Sequence, residues 1–284
     1  MKASLRTLIL ATAAALPLPA LAADYDPPIV IDQPVEEVPV EVGSGWYLRG
    51  DIGYNFDLQA RGDFDFRDFD PASGTYSPDS FDTASVGDGV TWGVGVGYNF
   101  TDMVRADFTV DGFRADFDGT TSSAGPCVGD PPFVGTNCRS EDNADAVALS
   151  LLANGYVDLG TYVGFTPYVG GGLGYTYIDW GTLNGSNFCV DGAVAACPVN
   201  SVVARTENDG EQSWRFTYAL MAGIAYDVSQ NLKIDLGYRY RRIEGGPMFA
   251  FDAGSVGGGA TGGAGDDPGF SSHEVRLGLR YALW

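Results

Sequence analysis

The chain ends in Val275-Arg276-Leu277-Gly278-Leu279-Arg280-Tyr281-Ala282-Leu283-Trp284, where apolar side chains alternate with polar or small ones. A period of two is that of a β-strand, and such a strand has one apolar face and one polar face. Seven earlier segments repeat this pattern between turns. The polar faces of all eight can point into a closed cylinder, so the pattern predicts a barrel of strands.

The eight segments are distributed over residues 46–284. The first six are 46–57, 90–100, 103–113, 146–157, 165–178 and 214–227, the seventh runs from 232 to 241, and the eighth ends the chain. Only Thr101 and Asp102 separate the second segment from the third, and a two-residue link implies an antiparallel hairpin. The sequence therefore predicts an all-β fold: an eight-stranded antiparallel up-and-down transmembrane β-barrel over residues 46–284.

The positions of the charged residues indicate whether the apolar face meets lipid. An Arg or Lys side chain that faces lipid at the bilayer midplane lowers the stability of a barrel by about 2–4 kcal/mol. Within the eight segments every charged residue falls on the polar face, eight of them basic and seven acidic. An eight-stranded barrel is just wide enough for its own side chains to fill it. We therefore expect a nearly neutral lumen crossed by ion pairs. The candidate network comprises Arg49, Asp51, Arg105, Asp107, Asp111, Arg215, Lys233, Asp235, Arg239, Arg241, Glu274, Arg276 and Arg280.

Residues 1–22 have the features of a secretory signal peptide. Lys2 and Arg6 precede an apolar stretch, and small residues bracket Leu21 before a cleavage point near Ala22. The apolar run is shorter than the roughly 20 residues of a membrane-spanning helix, which disfavours an anchor. Residues 23–45 are rich in prolines and carboxylates and predict an extended periplasmic linker. A binding motif for another envelope component is the alternative.

The composition agrees with an outer-membrane barrel. Forty glycines, fifteen tyrosines and sixteen phenylalanines favour many short strands with tight turns and aromatic outer positions. The formal net charge of −21 argues against nucleic acid and anionic lipid surfaces as partners.

The connections between segments differ in length in a regular way. Short ones lie around Thr101, Leu159 and Gln230, and long ones cover roughly residues 58–89, 114–145, 179–213 and 242–273. Outer-membrane barrels have short periplasmic turns and longer extracellular loops, so we expect the long connections to face outside. They hold most of the negative charge, and the first contains Asp63, Asp65, Asp68, Asp70, Asp79, Asp82 and Asp88.

Four cysteines fall as one pair in each of two long connections. Three pairings are formally possible. The local spacing and an oxidising envelope favour disulfides between Cys127 and Cys138 and between Cys189 and Cys197. A zinc site is the alternative, and a single histidine in the chain makes it a poor one.

Three other motifs resemble binding or catalytic sites, but each lacks a feature that such a site requires. Residues 63–70 are dense in carboxylates but lack the glycine and glutamate of an EF-hand, and their alternation fits a strand extended above the membrane. The glycine motifs at 93–97 and 170–172 precede no helix, which excludes a nucleotide loop. His273 adjoins Ser272, but adjacent strand residues point to opposite faces and cannot form a triad unaided. We expect no catalytic residue, metal site or cofactor, and no enzymatic activity.

Four segments carry a resemblance to a known family. They are Trp46-Tyr47-Leu48-Arg49-Gly50-Asp51-Ile52-Gly53-Tyr54, the Gly-Tyr-Asn-Phe repeats ending at Phe56 and Phe100, Tyr168-Val169-Gly170-Gly171-Gly172-Leu173-Gly174-Tyr175, and residues 275–281. The chain resembles the outer-membrane β-barrel family that includes the OmpA barrel and, more closely, the alphaproteobacterial surface-antigen porins. The resemblance implies an envelope structural protein and surface antigen, and some members are described as porins or haem binders.

The end of the chain departs from that family in two places. Tyr281 lies three residues before the terminal aromatic residue where the usual assembly signal has two, and Trp284 replaces a phenylalanine. Trp284 is therefore out of phase with Tyr281, which fraying or a bulge at the periplasmic rim would explain. Recognition by the barrel-assembly machinery is still expected, with Tyr281 and Trp284 as the signal.

These features predict a structural and surface-antigen barrel with a charge-paired lumen and recognition loops. A small-solute porin is the alternative, motivated by the family and the polar lumen, and a haem-binding surface protein is weakened by the scarcity of histidine. The expected partners are outer-membrane lipid and lipopolysaccharide, whose phosphates the loop carboxylates could meet through divalent ions. The other expected partners are the barrel-assembly machinery and a host or envelope partner that binds the loops.

Overall fold

The computed structural model describes residues 45–60, 63–123, 137–190 and 197–283. The signal peptide predicted at 1–22, and all but the last residue of the linker predicted at 23–45, lie outside these residues. Within the described part of the chain, no helix is long and apolar enough to cross a membrane.

The described residues form fifteen strands and one short helix. In chain order they are β1 (Trp46–Ala60), β2 (Asp65–Asp70), β3 (Thr75–Ser80), β4 (Thr83–Val86), β5 (Gly89–Asn99), β6 (Val104–Ser123), β7 (Cys138–Asp158), β8 (Phe165–Trp180), β9 (Leu183–Cys189), β10 (Val202–Asn208), β11 (Gln212–Asp227), β12 (Leu232–Ile243), β13 (Gly246–Ala250), α1 (Ala253–Gly257), β14 (Gly263–Asp267) and β15 (Phe270–Ala282).

Eight of these strands pair antiparallel in a closed ring. The order around the ring is β1, β5, β6, β7, β8, β11, β12 and β15, and β15 returns to β1 with Tyr281 opposite Leu48. Side chains alternate as the sequence predicted: Leu277 is 51% exposed on the outer face, whereas Arg276 is 5% exposed on the inner face. The prediction of an all-β antiparallel fold is confirmed.

The strands β6 and β7 are longer than the predicted segments 103–113 and 146–157. They continue as a hairpin arm beyond the ring, where Ser123 lies opposite Cys138, and β9 and β10 are added at the side of β7. Outward side chains in this arm include Asp116 and Asp118, whereas the inward ones include Phe117, so the apolar side chains change from the outer to the inner face. The predicted segments end where the apolar face changes sides, and the predicted boundaries were therefore too short.

The long connections also contain a second sheet of four strands, in the order β13, β14, β2, β3. The prediction of a strand within residues 63–70 agrees with β2, but β2 pairs with β3 and β14 and does not extend β1. The helix α1 between β13 and β14 begins after Asp252, whose carboxylate accepts hydrogen bonds from the backbone N–H groups of Gly254 and Ser255. Segments predicted as loops thus have much regular structure.

Candidate functional site

The lumen near the short connections is filled with charged side chains from the inner rows of the ring. Five arginines there lie within ion-pair distance of carboxylates, and nearly all of these groups are buried. The shortest contacts are Arg49–Asp107 at 2.7 Å, Arg105–Asp158 at 3.1 Å, Arg239–Glu274 at 2.6 Å, Arg276–Asp51 at 3.0 Å and Arg280–Asp235 at 2.7 Å.

Shared carboxylates join most of these pairs into one cluster. Asp111 lies 3.0 Å from Arg239 and 3.2 Å from Arg276, and Asp51 lies 2.8 Å from Arg49. Because Arg276 also contacts Asp51, the cluster runs without interruption from β12 to β1. We call it the lumen network; it contains Arg49, Asp51, Arg105, Asp107, Asp111, Arg239, Glu274 and Arg276.

Two buried tyrosines complete the lumen network, and neither was predicted from the sequence. The Tyr47 hydroxyl donates to Asp107 at 3.0 Å, and Arg49 donates to the Tyr156 hydroxyl at 2.8 Å. The guanidinium of Arg105 stacks 3.9 Å above the Tyr156 ring. Both tyrosines occupy inward positions in the alternation of their strands, and that alternation was the sequence signal that could have identified them.

Five residues of the predicted network lie apart from the lumen network, and two of them, Arg280 and Asp235, form a pair of their own at 2.7 Å. Lys233 pairs with Asp227 at 2.5 Å at the partly exposed rim next to the short connections. Arg215 pairs instead with Asp267 of β14, near the long connections, and donates to the Pro247 carbonyl oxygen at 2.7 Å. Arg241 is buried, and its Nη2 atom lies 3.4 Å from Asn55 Oδ1.

Above the lumen network the inner rows become apolar. On β6 the inner position after Asp111 is Phe113, followed by Ala115 and Phe117. We call the resulting cluster the apolar plug; it comprises Leu58, Phe64, Val86, Phe113, Ala115, Phe117, Ala144, Ala146, Ala148, Ile178, Trp180, Ile243, Met248, Phe249 and Phe270. This cluster was not predicted from the sequence, although the inner row of β6 changes from polar to apolar residues.

The apolar plug combines ring strands with residues of the long connections. The ring centroid of Phe117 in β6 lies 5.1 Å from that of Phe64 and 6.1 Å from that of Phe249. The ring centroid of Trp180 in β8 lies 5.7 Å from that of Phe249. A cavity inside the plug has a volume of only about 20 Å³ and an entirely apolar lining. Such a space is barely large enough for one water molecule, which makes the plug a packed core.

The outer face of the ring carries apolar and aromatic side chains in two groups. Near the short connections, the rings of Trp46 and Tyr98 lie 5.3 Å apart and those of Phe165 and Tyr226 lie 4.7 Å apart. The other group lies toward the long connections and includes Tyr175, Tyr177, Trp214, Phe216, Tyr238 and Tyr240. Amphipathic rings in two such belts are typical of proteins that meet a bilayer.

His273 belongs to the second aromatic group. Its Nδ1 atom contacts the hydroxyl of Tyr238, and its ring lies 5.9 Å from Phe56 and 5.3 Å from Tyr240. Ser272 is buried on the opposite, inner face. The structure therefore does not bring His273 and Ser272 together. Among the described residues, no group of three or more histidine, cysteine, aspartate or glutamate side chains is placed to hold a metal ion.

One of the two predicted disulfides is present and joins Cys189 to Cys197 in the connection beyond β9. Cys138 lies directly opposite Cys189 in the β7–β9 pair and packs in the same cluster. Cys127 lies outside the described residues, so the pairing of Cys127 with Cys138 stays a prediction. At the end of the chain, Tyr281 is exposed on the outer face, and Trp284 lies outside the described residues.

The structure beyond the ring exposes acidic surfaces. Residues 63–88 contain seven aspartates and one arginine, Arg67, which stacks between Tyr76 at 5.4 Å and Phe251 at 5.8 Å. A surface cavity of about 490 Å³ lies between β4, β6, β7 and β9, and Asp142 is among its lining residues. Burial raises the pKa of Asp142 to about 6, although a hydrogen bond from Ser140 acts in the opposite direction.

Comparison with known proteins identifies a family and several similar proteins. Residues 8–282 match the profile of the outer membrane protein beta-barrel domain. The chain is 41% identical over 267 residues to an uncharacterized protein of Brucella abortus, covering 89% of this chain and 90% of that one. It is 26% identical over 194 residues to a candidate adhesin of Rickettsia typhi, covering 67% and 73%. Neisserial surface protein A matches with a TM-score of 0.42 and 16% identity, covering 85% of this chain and 99% of that one.

Proposed function

Because the chain belongs to the outer membrane protein beta-barrel domain family and is therefore a protein of the bacterial outer membrane, we propose that it is a closed, non-conducting surface barrel with a recognition surface. In this proposal the eight-strand ring spans the membrane, and the β-structure of the long connections is presented outside the cell. The observation that carries the proposal is the stacking of the apolar plug on the lumen network.

The orientation follows from the lengths of the connections. Residues 100–103, 159–164 and 228–231 are short links between ring strands, whereas the other links contain the hairpin arm and the four-stranded sheet. Short turns of such barrels face the periplasm and long loops face outside. The N-terminal side of β1 then lies in the periplasm, which is consistent with the predicted linker at 23–45.

The filled lumen supports a closed barrel and disfavours the porin alternative. Ions would have to cross a layer of paired charges and then an apolar layer with a cavity of only about 20 Å³. Desolvating an ion in such a layer is costly, and hydrophobic constrictions exclude water. In this proposal the filled lumen makes the ring a rigid support for the four-stranded sheet and the hairpin arm.

The recognition surface would consist of the four-stranded sheet and the hairpin arm. Their excess of aspartates favours a partner with basic groups, or lipopolysaccharide phosphates bridged by divalent ions. The relative described as a candidate adhesin fits a contact with a host or envelope surface. Insertion by the barrel-assembly machinery, with Tyr281 and Trp284 as the signal, belongs to the same proposal.

We do not assign catalysis or haem binding to this barrel. His273 lies on the outer face among aromatic rings, away from Ser272 and from the lumen carboxylates. An activated nucleophile or a haem ligand needs a histidine in a pocket with its partner groups. A hydrolase or acyl-transfer activity that disappears on His273→Ala would contradict this part of the proposal.

Two experiments test the proposal. Planar-bilayer recording of the refolded protein should give no steady conductance, and a steady current abolished by Arg105→Met or Arg239→Met would establish a channel instead. Attachment of non-adherent bacteria that express the protein to cultured mammalian cells should fall when residues 65–80 are replaced by a short Gly-Ser turn. Replacing the turn at 228–231 instead is the matched control, since it lies at the opposite end of the ring.

A further inference from the structure

The strand β10 forms an edge of the larger sheet. Among the described residues it pairs with β9 on one side and with no strand on the other. A free edge offers a row of backbone N–H and C=O groups, and natural proteins usually shorten such edges or place proline in them. The other strands at the ends of the two sheets follow this rule, since β4 has only four residues and β3 and β13 contain Pro78 and Pro247. By contrast, β10 has seven residues, three of them β-branched and none of them proline or glycine. It is therefore the edge best suited to accept another strand.

The strand β10 also continues the wall of the ring. Asn208 lies opposite Leu183, and Gln212 of β11 lies opposite Asp179, so β10 and β11 keep one register against β9 and β8. The two-fold axis that relates two antiparallel strands is perpendicular to their sheet, so it reverses every direction within the sheet, including that of the barrel axis. A second copy that pairs antiparallel with β10 is thus inverted, and its ring lies in another membrane that faces the first.

The charged residues of β10 select one register for such a pair. Directly opposed residues of antiparallel strands share a face, and opposite charges there contribute about 0.2–1 kcal/mol, whereas like charges are unfavourable. Arg205 and Glu207 are both exposed and flank Thr206, and the pairing with β9 is regular over residues 204–208. A pair centred on Thr206 places Arg205 of each copy opposite Glu207 of the other. A pair centred on Arg205 or on Glu207 would instead oppose two like charges.

We propose that β10 is a homophilic contact, through which copies of this protein on two neighbouring cells pair antiparallel about Thr206. This inference rests on the proposed function, in which the long connections face outside the cell, and it adds a second copy of the chain to the partners of the recognition surface. One pair of short strands is a weak contact, but many copies on each cell act together. Carboxylates elsewhere on the arm do not prevent it, because charges further apart than about 8 Å are largely screened at physiological ionic strength.

Settling of bacteria tests the contact between cells. Laboratory bacteria with truncated lipopolysaccharide should clump and settle when they express the protein. Arg205→Glu or Glu207→Arg should each weaken the pair about tenfold and abolish settling, because both favourable charge pairs become repulsive. A mixture of cells carrying Arg205→Glu with cells carrying Glu207→Arg should clump again, since each copy then opposes the charges of the other.

A control variant separates this effect from a general change of surface charge. Glu141→Arg makes the same change of charge on β7, where β6 and β9 occupy both edges at this residue, and it should settle like the unsubstituted protein. Settling that persists in both single variants on β10, or a mixture of them that does not clump, would overturn the proposal.

Disulfide cross-linking of the purified protein in detergent tests the register without cells. Directly opposed residues of an antiparallel pair have Cα atoms about 4.5–5.5 Å apart, which is within the range of a disulfide. Thr206→Cys should therefore give a covalent dimer on mild oxidation. Ala204→Cys lies on the same face but leaves the two cysteines about 13 Å apart, too far for a disulfide, and should give no more dimer than the unsubstituted protein. Equal yields from the two variants, or no dimer from Thr206→Cys, would overturn the proposal.

A tag inserted in the helix α1 separates this inference from the proposed function. An antibody that does not reach the tag on intact cells would show that the long connections do not face outside, and both proposals would then be wrong. An antibody that reaches the tag on cells that do not settle would overturn the contact through β10 alone, and the proposed function would stand.

Discussion

Arg239 of β12 donates to Asp111 of β6, with Nη1 and Oδ2 3.0 Å apart. These strands are four positions apart in a ring of eight, which is the largest separation that the ring allows. The ion pair therefore crosses the lumen and connects opposite walls. Because the same carboxylate also binds Arg276 of β15, removal of one side chain affects three strands at once.

We expect Asp111→Asn to destabilise the barrel by about 3–5 kcal/mol, because it leaves two buried guanidiniums short of a partner. Urea unfolding followed by tryptophan fluorescence measures the effect. Lys233→Met is the matched control: its pair with Asp227 is more than one-third exposed on the lysine side, so its loss should cost less than about 1 kcal/mol. Equal effects of the two substitutions would mean that the lumen network does not stabilise the ring.

The apolar plug gives a second prediction. Phe117 is 1% exposed and contacts Phe64, Phe81 and Trp180. We expect Phe117→Ala to cost about 3–5 kcal/mol and to make the long connections sensitive to limited proteolysis, because a large cavity opens between them and the ring. Val256→Ala in the exposed helix α1 should change stability by less than about 0.5 kcal/mol. Unchanged proteolysis in Phe117→Ala would contradict a structural role for the plug.

The outer face gives a third prediction. Leu277 lies midway along β15 between the two aromatic groups and is opposite Ile52 and Leu236. We expect Leu277→Arg to reduce folding stability in lipid vesicles by about 2–4 kcal/mol, because the charge faces the bilayer midplane. Leu159→Arg places the same charge in a short turn and should cost at most about 1 kcal/mol. A similar cost at both positions would argue against a membrane around this face.

The disulfide gives a fourth prediction. The double variant Cys189→Ser with Cys197→Ser should loosen β9 and β10 by about 2–3 kcal/mol through the entropy of the opened loop. Hydrogen exchange of the amides in β9 and β10 should accelerate, whereas the urea midpoint of the ring should stay unchanged, since these strands pair outside it. A lowered midpoint for the ring would show that the two parts unfold together.

The sequence predicted the ring well because a strand that meets two different environments must alternate. Leu277 and Arg276 followed from this rule alone, and so did the inward positions of Asp111, Arg239 and Glu274. The ion-pair partners across the lumen could not be predicted in this way, because the alternation fixes which face a side chain lies on but not how far along the barrel axis it lies. Asp158 and Asp267 were thus missed as partners of Arg105 and Arg215.

The apolar plug and the second sheet could not be predicted for a different reason. Beyond the membrane either face of a strand can meet water or protein, so the apolar face need not stay on the side that it has in the ring. Phe64 and Phe249 belong to different connections and are more than 180 residues apart in the sequence, and only tertiary structure brings them to Phe117. The inner row of β6 was the one local signal, since its residues change from Asp111 to Phe113.

Asp142 gives a prediction for pH. Burial raises its pKa to about 6 in the folded protein, above the value of about 3.9 expected in the unfolded chain. Between roughly pH 4 and 6 the folded state therefore holds more protons, so the stability of the hairpin arm should fall as pH rises through this window. Hydrogen exchange of β7 and β9 measures this trend. Asp142→Asn should remove it and slow exchange at neutral pH, whereas Glu141→Gln, half-exposed beside Arg139, should retain it. An unchanged trend in Asp142→Asn would assign the titration to another carboxylate.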